Sequence, residues 1–338
     1  MFKSTRIYSI IAVLTLGIFL MTGCGGQGAQ QKTEQKAQSG ANSEKYQVAW
    51  GTAPAGGAWQ VIGTAMLEDV TKANPNISGS TSPIGGFANV IGVSEGKLQV
   101  AFSLSATTGD AWEGKGPFEE KGELKNFRIL ATLFPEPTHI TVLADSGVNS
   151  IEQLKGKRIT PGPKGSAVEQ DTKRVLDAYG LTYNDFQSQM ISFDEAAQQM
   201  LDGHIDSILY GTMICPAPNI VNVNSQKQIK LLSLSDSAID QIVKSNTGTI
   251  PYTIPAGTYK GVDYPVNGIA TLCNIIVRED MPDDVAYSIV KTIAENFDRY
   301  PTVASAMSLA KKEEMDRDMG VPYHPGALKY YKEQGWIE

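Results

Sequence analysis

The sequence is poor in the residues that build metal centres and covalent frameworks: 338 residues contain three cysteines and three histidines. That scarcity excludes an elaborate zinc or disulfide framework. Positive charge is also short, with 29 Lys and Arg against 36 Asp and Glu and a formal net charge of −7. A chain with this balance offers no broad basic surface to a polyanion, which removes nucleic-acid binding as its main role. Charged residues make up only 19%, too few for a disordered polyelectrolyte. No self-similarity at 20 to 50 residues is visible, which excludes solenoids and propellers. What is abundant is apolar residues, at 41%, and glycine, at 33 positions; both suit a loop-containing α/β protein. The length suffices for two ordinary domains, each with its own core.

The one long apolar run is Ile7 to Leu20, which follows Lys3 and Arg6. It is short for a membrane span and has the length of a signal-peptide core. Met21-Thr22-Gly23-Cys24 follows and resembles a bacterial lipobox. Residues 1–23 therefore read as a lipoprotein signal peptide and Cys24 as the acylated new N-terminus, holding the protein outside the cytoplasm on the membrane. Its removal leaves 27 basic and 36 acidic residues, a net charge of −9. Residues 24–45, rich in Gly, Gln, Ser and Lys, read as a flexible tether. A coil of that composition reaches on the order of 25 Å.

From Tyr46 strand and helix signals alternate. Strands are expected at Gln47–Trp50, Ile77–Thr81, Leu98–Leu104, Arg128–Leu133 and Thr138–Ala144. Helical spacing of apolar residues over Ala58–Lys72 and from Phe87 lies between the first three. A second series begins near Ser150, with strands at Arg158–Thr160, Met190–Ser192 and Ile205–Tyr210 and a helix closed by Gly180. After a Gly/Pro/Tyr-rich stretch from Pro251 to Pro265, a strand at Ile269–Val277 and three helices remain. Two α/β series predict two lobes, a hinge and a cleft. Residues 46–137 with 260–338 form the first lobe, and 138–259 the second.

The chemically informative features are three glycine-containing strand-to-helix turns, Gly51 to Trp59, Ser82 to Asn89 and Thr160 to Glu169. Such turns aim free backbone N–H groups and positive helix-dipole ends at one sheet edge, so they hold a carboxylate or phosphate without a basic side chain. Each charge-assisted hydrogen bond is worth about 1.5 to 3 kcal/mol before desolvation. Two or three support micromolar affinity, about −8 kcal/mol.

Sharper motifs fail. Gly57-Ala58 stands where a phosphate loop needs Lys and Ser or Thr, and no dinucleotide G-x-G-x-x-G follows a strand. Gly92-Val93-Ser94-Glu95-Gly96 has nucleophile-elbow spacing but closes a helix before a strand, the reverse of the required order. His139, His204 and His324 lack partners at metal spacing and read as structural or exposed. Cys215 and Cys273 either pair or remain as free thiols. Glu169 and Asp110, near the turns, read as solvated or helix-capping. The chain is expected not to be an enzyme, and to need neither cofactor nor metal.

Several segments together resemble the TAXI family, the extracytoplasmic solute-binding subunits of TRAP transporters. They are the Gly51–Trp59 turn, Pro135-Glu136-Pro137-Thr138-His139, Leu154 to Arg158, Gly162 to Glu169, Ala178 to Leu181, Pro255 to Tyr259 and His324 to Ala327. The resemblance covers Tyr46 to Trp336 in order. It implies an α/β, two-lobed type II periplasmic-binding-protein fold. A protein of this kind, here expected as a monomer, captures a small carboxylate such as glutamate, glutamine or 2-oxoglutarate. It delivers that ligand to an ion-driven TRAP permease. The binding protein of an ABC importer is the nearest alternative, and an extracytoplasmic enzyme acting on a small carboxylate the next. Carried over by position, the resemblance assigns the ligand's carboxylate to Gly56, Gly57, Ala58 and Trp59. It assigns further contacts to Gly165, Ser166 and Ala167 and to the loop after Val100–Ser103, hence Ser103 and Ser105. Thr52 and Gly86 in the first two turns and Thr212 complete the expected site. This sequence departs from the family at Ala58-Trp59, Ser103-Leu104-Ser105 and Gly211 to Pro216. Trp59 either packs over a ligand's carbon chain or sits in the core beneath the loop.

Overall fold

The computed structural model describes residues 45–53 and 58–338. The signal sequence, Cys24, the tether up to Glu44 and the turn residues Gly56 and Gly57 lie outside the described residues. In the first lobe, β1 (Tyr46–Gly51) leads through α1 (Ala58–Ala73) to β2 (Ile77–Ser82), and α2 (Gly86–Ser94) leads to β3 (Val100–Leu104). β1 pairs in parallel with both β2 and β3. All five residues of β3 are buried, the physical reason for its nearly continuous apolar sequence, interrupted only by Ser103. α1 buries Ile62, Met66 and Val70 along one face, each worth about 1.5 to 3 kcal/mol of burial. α3 (Ser105–Glu113) follows and ends on Gly114 in the left-handed conformation, φ 65°.

β4 (Phe127–Pro137) runs out of this sheet, and after Thr138 alone β5 (His139–Leu143) belongs to a second one. The second lobe holds β6 (Arg158–Thr160), α4 (Ala167–Ala178), β7 (Gln187–Ser188), α5 (Phe193–Leu201), β8 (Ser207–Tyr210), α6 (Pro218–Gln226), β9 (Ile229–Leu231) and α7 (Asp236–Ser245). Serine side chains cap three of its helices: Ser166, Ser192 and Ser235 accept from Glu169, Glu195 and Ala238 N–H. The chain returns through an antiparallel ribbon of β10 (Thr249–Ile254) and β11 (Val266–Arg278). It then finishes in α8 (Asp283–Glu295), α9 (Tyr300–Val303) and α10 (Pro325–Glu333) on the first lobe's core. The strand orders are β10-β11-β3-β1-β2, with β4 on β11, and β7-β6-β8-β5-β9.

One expectation changes. Met190–Ser192 is not a strand; the strand there is the two-residue β7. Pro251, at the start of the Gly/Pro/Tyr-rich stretch, lies within β10, on the sheet's edge where its missing N–H is tolerated. Val262 and Val266 pack into the second lobe's core, and β11 carries the chain from there to the first lobe's core. Thr138 donates its N–H to Ile269 O at 2.9 Å, and Leu234 N–H donates to Asn267 O at 2.8 Å, tying the crossing strands together. Among the described residues no helix is long and apolar enough to cross a membrane.

Candidate functional site

The three turns meet at one cavity of about 310 Å³, lined by Ala53, Ala58 and Trp59, by Ile84 to Gly86, and by Pro163 to Val168. Leu104, Glu136, Phe193, Met213 and Ile214 close it. Its walls thus come from strand ends in both sheets, the ordinary ligand position in open α/β architectures.

Asn89 builds the first lobe's side. Its Nδ2 donates to Thr52 O at 3.1 Å and to Phe102 O at 2.9 Å, and its Oδ1 accepts from Gly85 N–H at 3.2 Å. One buried amide therefore holds the ends of β1 and β3 and the start of α2. Gly51 is required beneath it, because a Cβ there would sit 2.5 Å from Asn89 Oδ1. Opposite, Ser166 Oγ accepts from Glu169 N–H at 3.1 Å, and Gly165 takes φ +74° to open α4 toward the cavity. The lobes approach closely there: a Cβ on Gly86 would lie 3.8 Å from Gly165 O.

Of the expected site residues within the described region, Ala58, Trp59, Gly86, Gly165, Ser166 and Ala167 line this cavity. Thr52, Ser103, Ser105 and Thr212 do not, because their hydroxyls are consumed inside the protein. Thr52 Oγ1 donates to Ser82 O and Ser103 Oγ to Leu104 O. Ser105 Oγ bonds Gly248 O and accepts Leu272 N–H, and Thr212 Oγ1 donates to Asp171. All four are essentially inaccessible to solvent. Trp59 is half-buried: its ring is tilted on Phe102 at 5.8 Å, and it lines the cavity.

Sequence reasoning missed Glu136 as a site residue. It stands in β4 between two prolines, is 6% exposed, lines the cavity and accepts from Trp59 Nε1 at 3.0 Å. Burial pushes its carboxyl up to about 7; the Trp59 hydrogen bond opposes that and the charge of Asp171 adds to it. The signal was available in Pro135-Glu136-Pro137: an acid in an otherwise buried strand that leads into the hinge.

Asp110 and Glu169 are not solvated. Arg174 of α4 bridges Asp110 of α3 and Asp171 of its own helix, and Asn246 Nδ2 donates to Asp110 at 2.7 Å. Burial pushes both aspartates up against the pull of Arg174. Glu169, 2% exposed, accepts from Tyr183 OH at 3.0 Å and from Gly165 N–H at 3.4 Å, which fixes the α4 turn. His139 is buried between Pro137 O and Tyr259 OH, and burial pulls it down to about 4, so it is neutral. His204 is exposed, and His324 caps α10. Cys215 and Cys273 are both buried free thiols in separate cores. Among the described residues no group of three or more His, Cys, Asp or Glu is arranged to hold a metal ion. A wider depression of about 510 Å³ at Ser94, Trp112, Lys125 and Arg128 is a surface groove. Its charges are already engaged: Arg128 pairs with Glu279 and Lys125 lies over Trp112.

The fold is that of two-lobed periplasmic binding proteins. It is shared with MatC from Rhodopseudomonas palustris, solved with bound malate, at TM-score 0.53 and 11% identity over 86% of this chain and 97% of that one. A TctC solute binding protein from Polaromonas matches at TM-score 0.50 and 20% identity over 88% and 100%. The periplasmic binding protein BugD matches at TM-score 0.50 and 13% identity over 86% and 95%. At the level of sequence, residues 50–335 match the profile of the NMT1-like family, and the chain belongs to that family.

Proposed function

We propose that this protein is an extracytoplasmic solute-binding subunit of the TAXI type, which captures a small carboxylate between its lobes and delivers it to an ion-driven TRAP permease. The observation that carries the reading is the convergence of turns from both lobes on one cavity. The starts of α1, α2 and α4 all border it, and the positive ends of their helix dipoles favour an anion. A ligand that touches both lobes stabilises the closed form by its differential affinity, and the closed form is what a permease would recognise. The overall charge of −7 disfavours anions at long range, so capture is local. Cys24 would carry the lipid that keeps the protein at the membrane.

A thermal-shift screen against amino acids, 2-oxo acids and dicarboxylates tests the reading. A ligand at 100 times its dissociation constant stabilises by about 2.7 kcal/mol; silence across the whole panel would overturn it. Gly57→Asp, which adds bulk and negative charge to the turn that the resemblance assigns to the carboxylate, is expected to abolish the shift. Uptake in vesicles driven by an ion gradient, and not by ATP, separates TRAP coupling from the ABC alternative. Cys24→Ser is expected to move the protein from the detergent to the aqueous phase on partitioning; retention in detergent would contradict the lipid anchor.

A further inference from the structure

The cavity holds one feature that an anion site built only from helix starts does not need, the acid on its floor. Glu136 is more than nine-tenths buried, and its Oε2 accepts from none of the described residues while Oε1 takes the Trp59 indole N–H. Among the described lining residues the only cationic side chain is Lys164, which is exposed at the rim. A buried carboxyl without a cation is costly, and such a group persists where something else supplies the partner. The rest of the floor is apolar, with Leu104, Met213 and Ile214, and contains no basic side chain for a second ligand carboxylate.

We propose that Glu136 is the specificity residue of this cleft, receiving the ammonium of an α-amino acid whose side chain is apolar. This rests on the solute-binding reading above. The amino acid's carboxylate lies toward the starts of α1, α2 and α4, its ammonium toward Glu136 Oε2, and its side chain on the apolar floor. Glutamate and 2-oxoglutarate, which carry a second carboxylate, fit less well than leucine does.

The pH dependence has a definite sign. The free carboxyl titrates near 7 because of burial, and a neighbouring ammonium favours its ionised form. Binding therefore releases a proton, and affinity falls as pH drops below about 7, approaching tenfold per pH unit until the bound form itself protonates. The groups acting on Glu136 are Trp59 from α1 and Asp171 from α4, with the Cys273 thiol on β11 beside it. The thiol is pushed well above its ordinary value by burial and stays neutral in this range. If Glu136 instead donated a proton to a ligand carboxylate, affinity would fall as pH rises.

Calorimetric titration of the purified protein with leucine, 4-methyl-2-oxopentanoate and glutarate, between pH 5.5 and 8, tests this. Leucine should bind at least about tenfold more tightly than its oxo analogue. Glu136→Gln should erase both that preference and the pH dependence. Trp59→Phe, which keeps a ring and removes the donor, should move the midpoint of the pH dependence upward. Equal or tighter binding of the oxo acid or glutarate, an unchanged preference in E136Q, or affinity that falls as pH rises would overturn the proposal and leave the cleft reading standing. Absence of leucine binding also overturns it; the cleft reading falls only if the wider carboxylate panel is silent as well.

Discussion

Two buried acidic sites lie between the lobes, and they are treated in opposite ways. At the Asp110–Arg174–Asp171 cluster a guanidinium serves both carboxylates, and Asn246 and Thr212 fill remaining positions. At Glu136 the described residues supply a single indole N–H and no cation. The first arrangement is self-sufficient and can fasten α4 of one lobe to α3 of the other without any ligand. The second is incomplete and opens on the cavity. Burial alone does not mark a functional acid; burial without compensation, at a cavity wall, does.

Removing Arg174 should have the largest effect. Arg174→Met leaves two buried carboxylates facing each other without their cation, and breaking a buried pair from one side costs about 3 to 5 kcal/mol. Denaturant unfolding checks it; a loss below about 1 kcal/mol would mean the cluster is less isolated from water than its burial indicates.

Glu136→Gln should act in the opposite direction on the free protein. The carboxyl sits near 7 when folded against about 4.5 when unfolded, so the fold favours its protonated form. The associated stability is fully present below pH 4.5 and is lost as pH rises through 7. Above that, the variant should be more stable than the parent by up to about 3 kcal/mol, because a neutral amide escapes the cost of a buried charge. Unfolding at pH 8 and pH 5 separates the two: the gain is full at pH 8, falls to below about 1 kcal/mol at pH 5 and vanishes below pH 4.5. Equal stability at both pH values would contradict the uncompensated state of Glu136.

Smaller effects follow at the edges of the cavity. Trp59→Phe deletes one hydrogen bond to the carboxyl, and a loss of about 1 to 2 kcal/mol is expected at pH 8, shrinking as Glu136 protonates. Gly165→Ala meets nothing within 4 Å, so its cost comes from φ +74° alone, about 1 kcal/mol. A much larger loss would show that the α4 turn is more crowded than the structure has it.

The alternation of strands and helices and the three glycine turns were legible because period, glycine and chain order all reported the same architecture. Elements held by tertiary contacts were not. α3, with the sequence SATTGDAWE, has few strong helix formers and is held by partners such as Gly248 and Asn246. β10 carries a proline and is defined only by its register on β11. At the site, glycines and the Ser166 cap could be placed from local pattern. Ser103, Ser105, Thr52 and Thr212 lie off the cavity, with their hydroxyls bonded inside the protein, because a hydroxyl's partner is a tertiary fact. Glu136 was marked by its place between two prolines in a buried strand, but the direction its carboxyl takes, into the cavity, is set by tertiary packing.

Hydrogen exchange during titration tests most directly whether a solute bridges the lobes. The purified protein is followed by amide exchange while the tightest-binding small carboxylate is added. Protection should rise together at the start of α2, Gly86 to Ala88, and at the start of α4, Ala167 and Val168, on opposite walls of the cavity. Saturable binding that protects neither segment, or only one of them, would contradict the account.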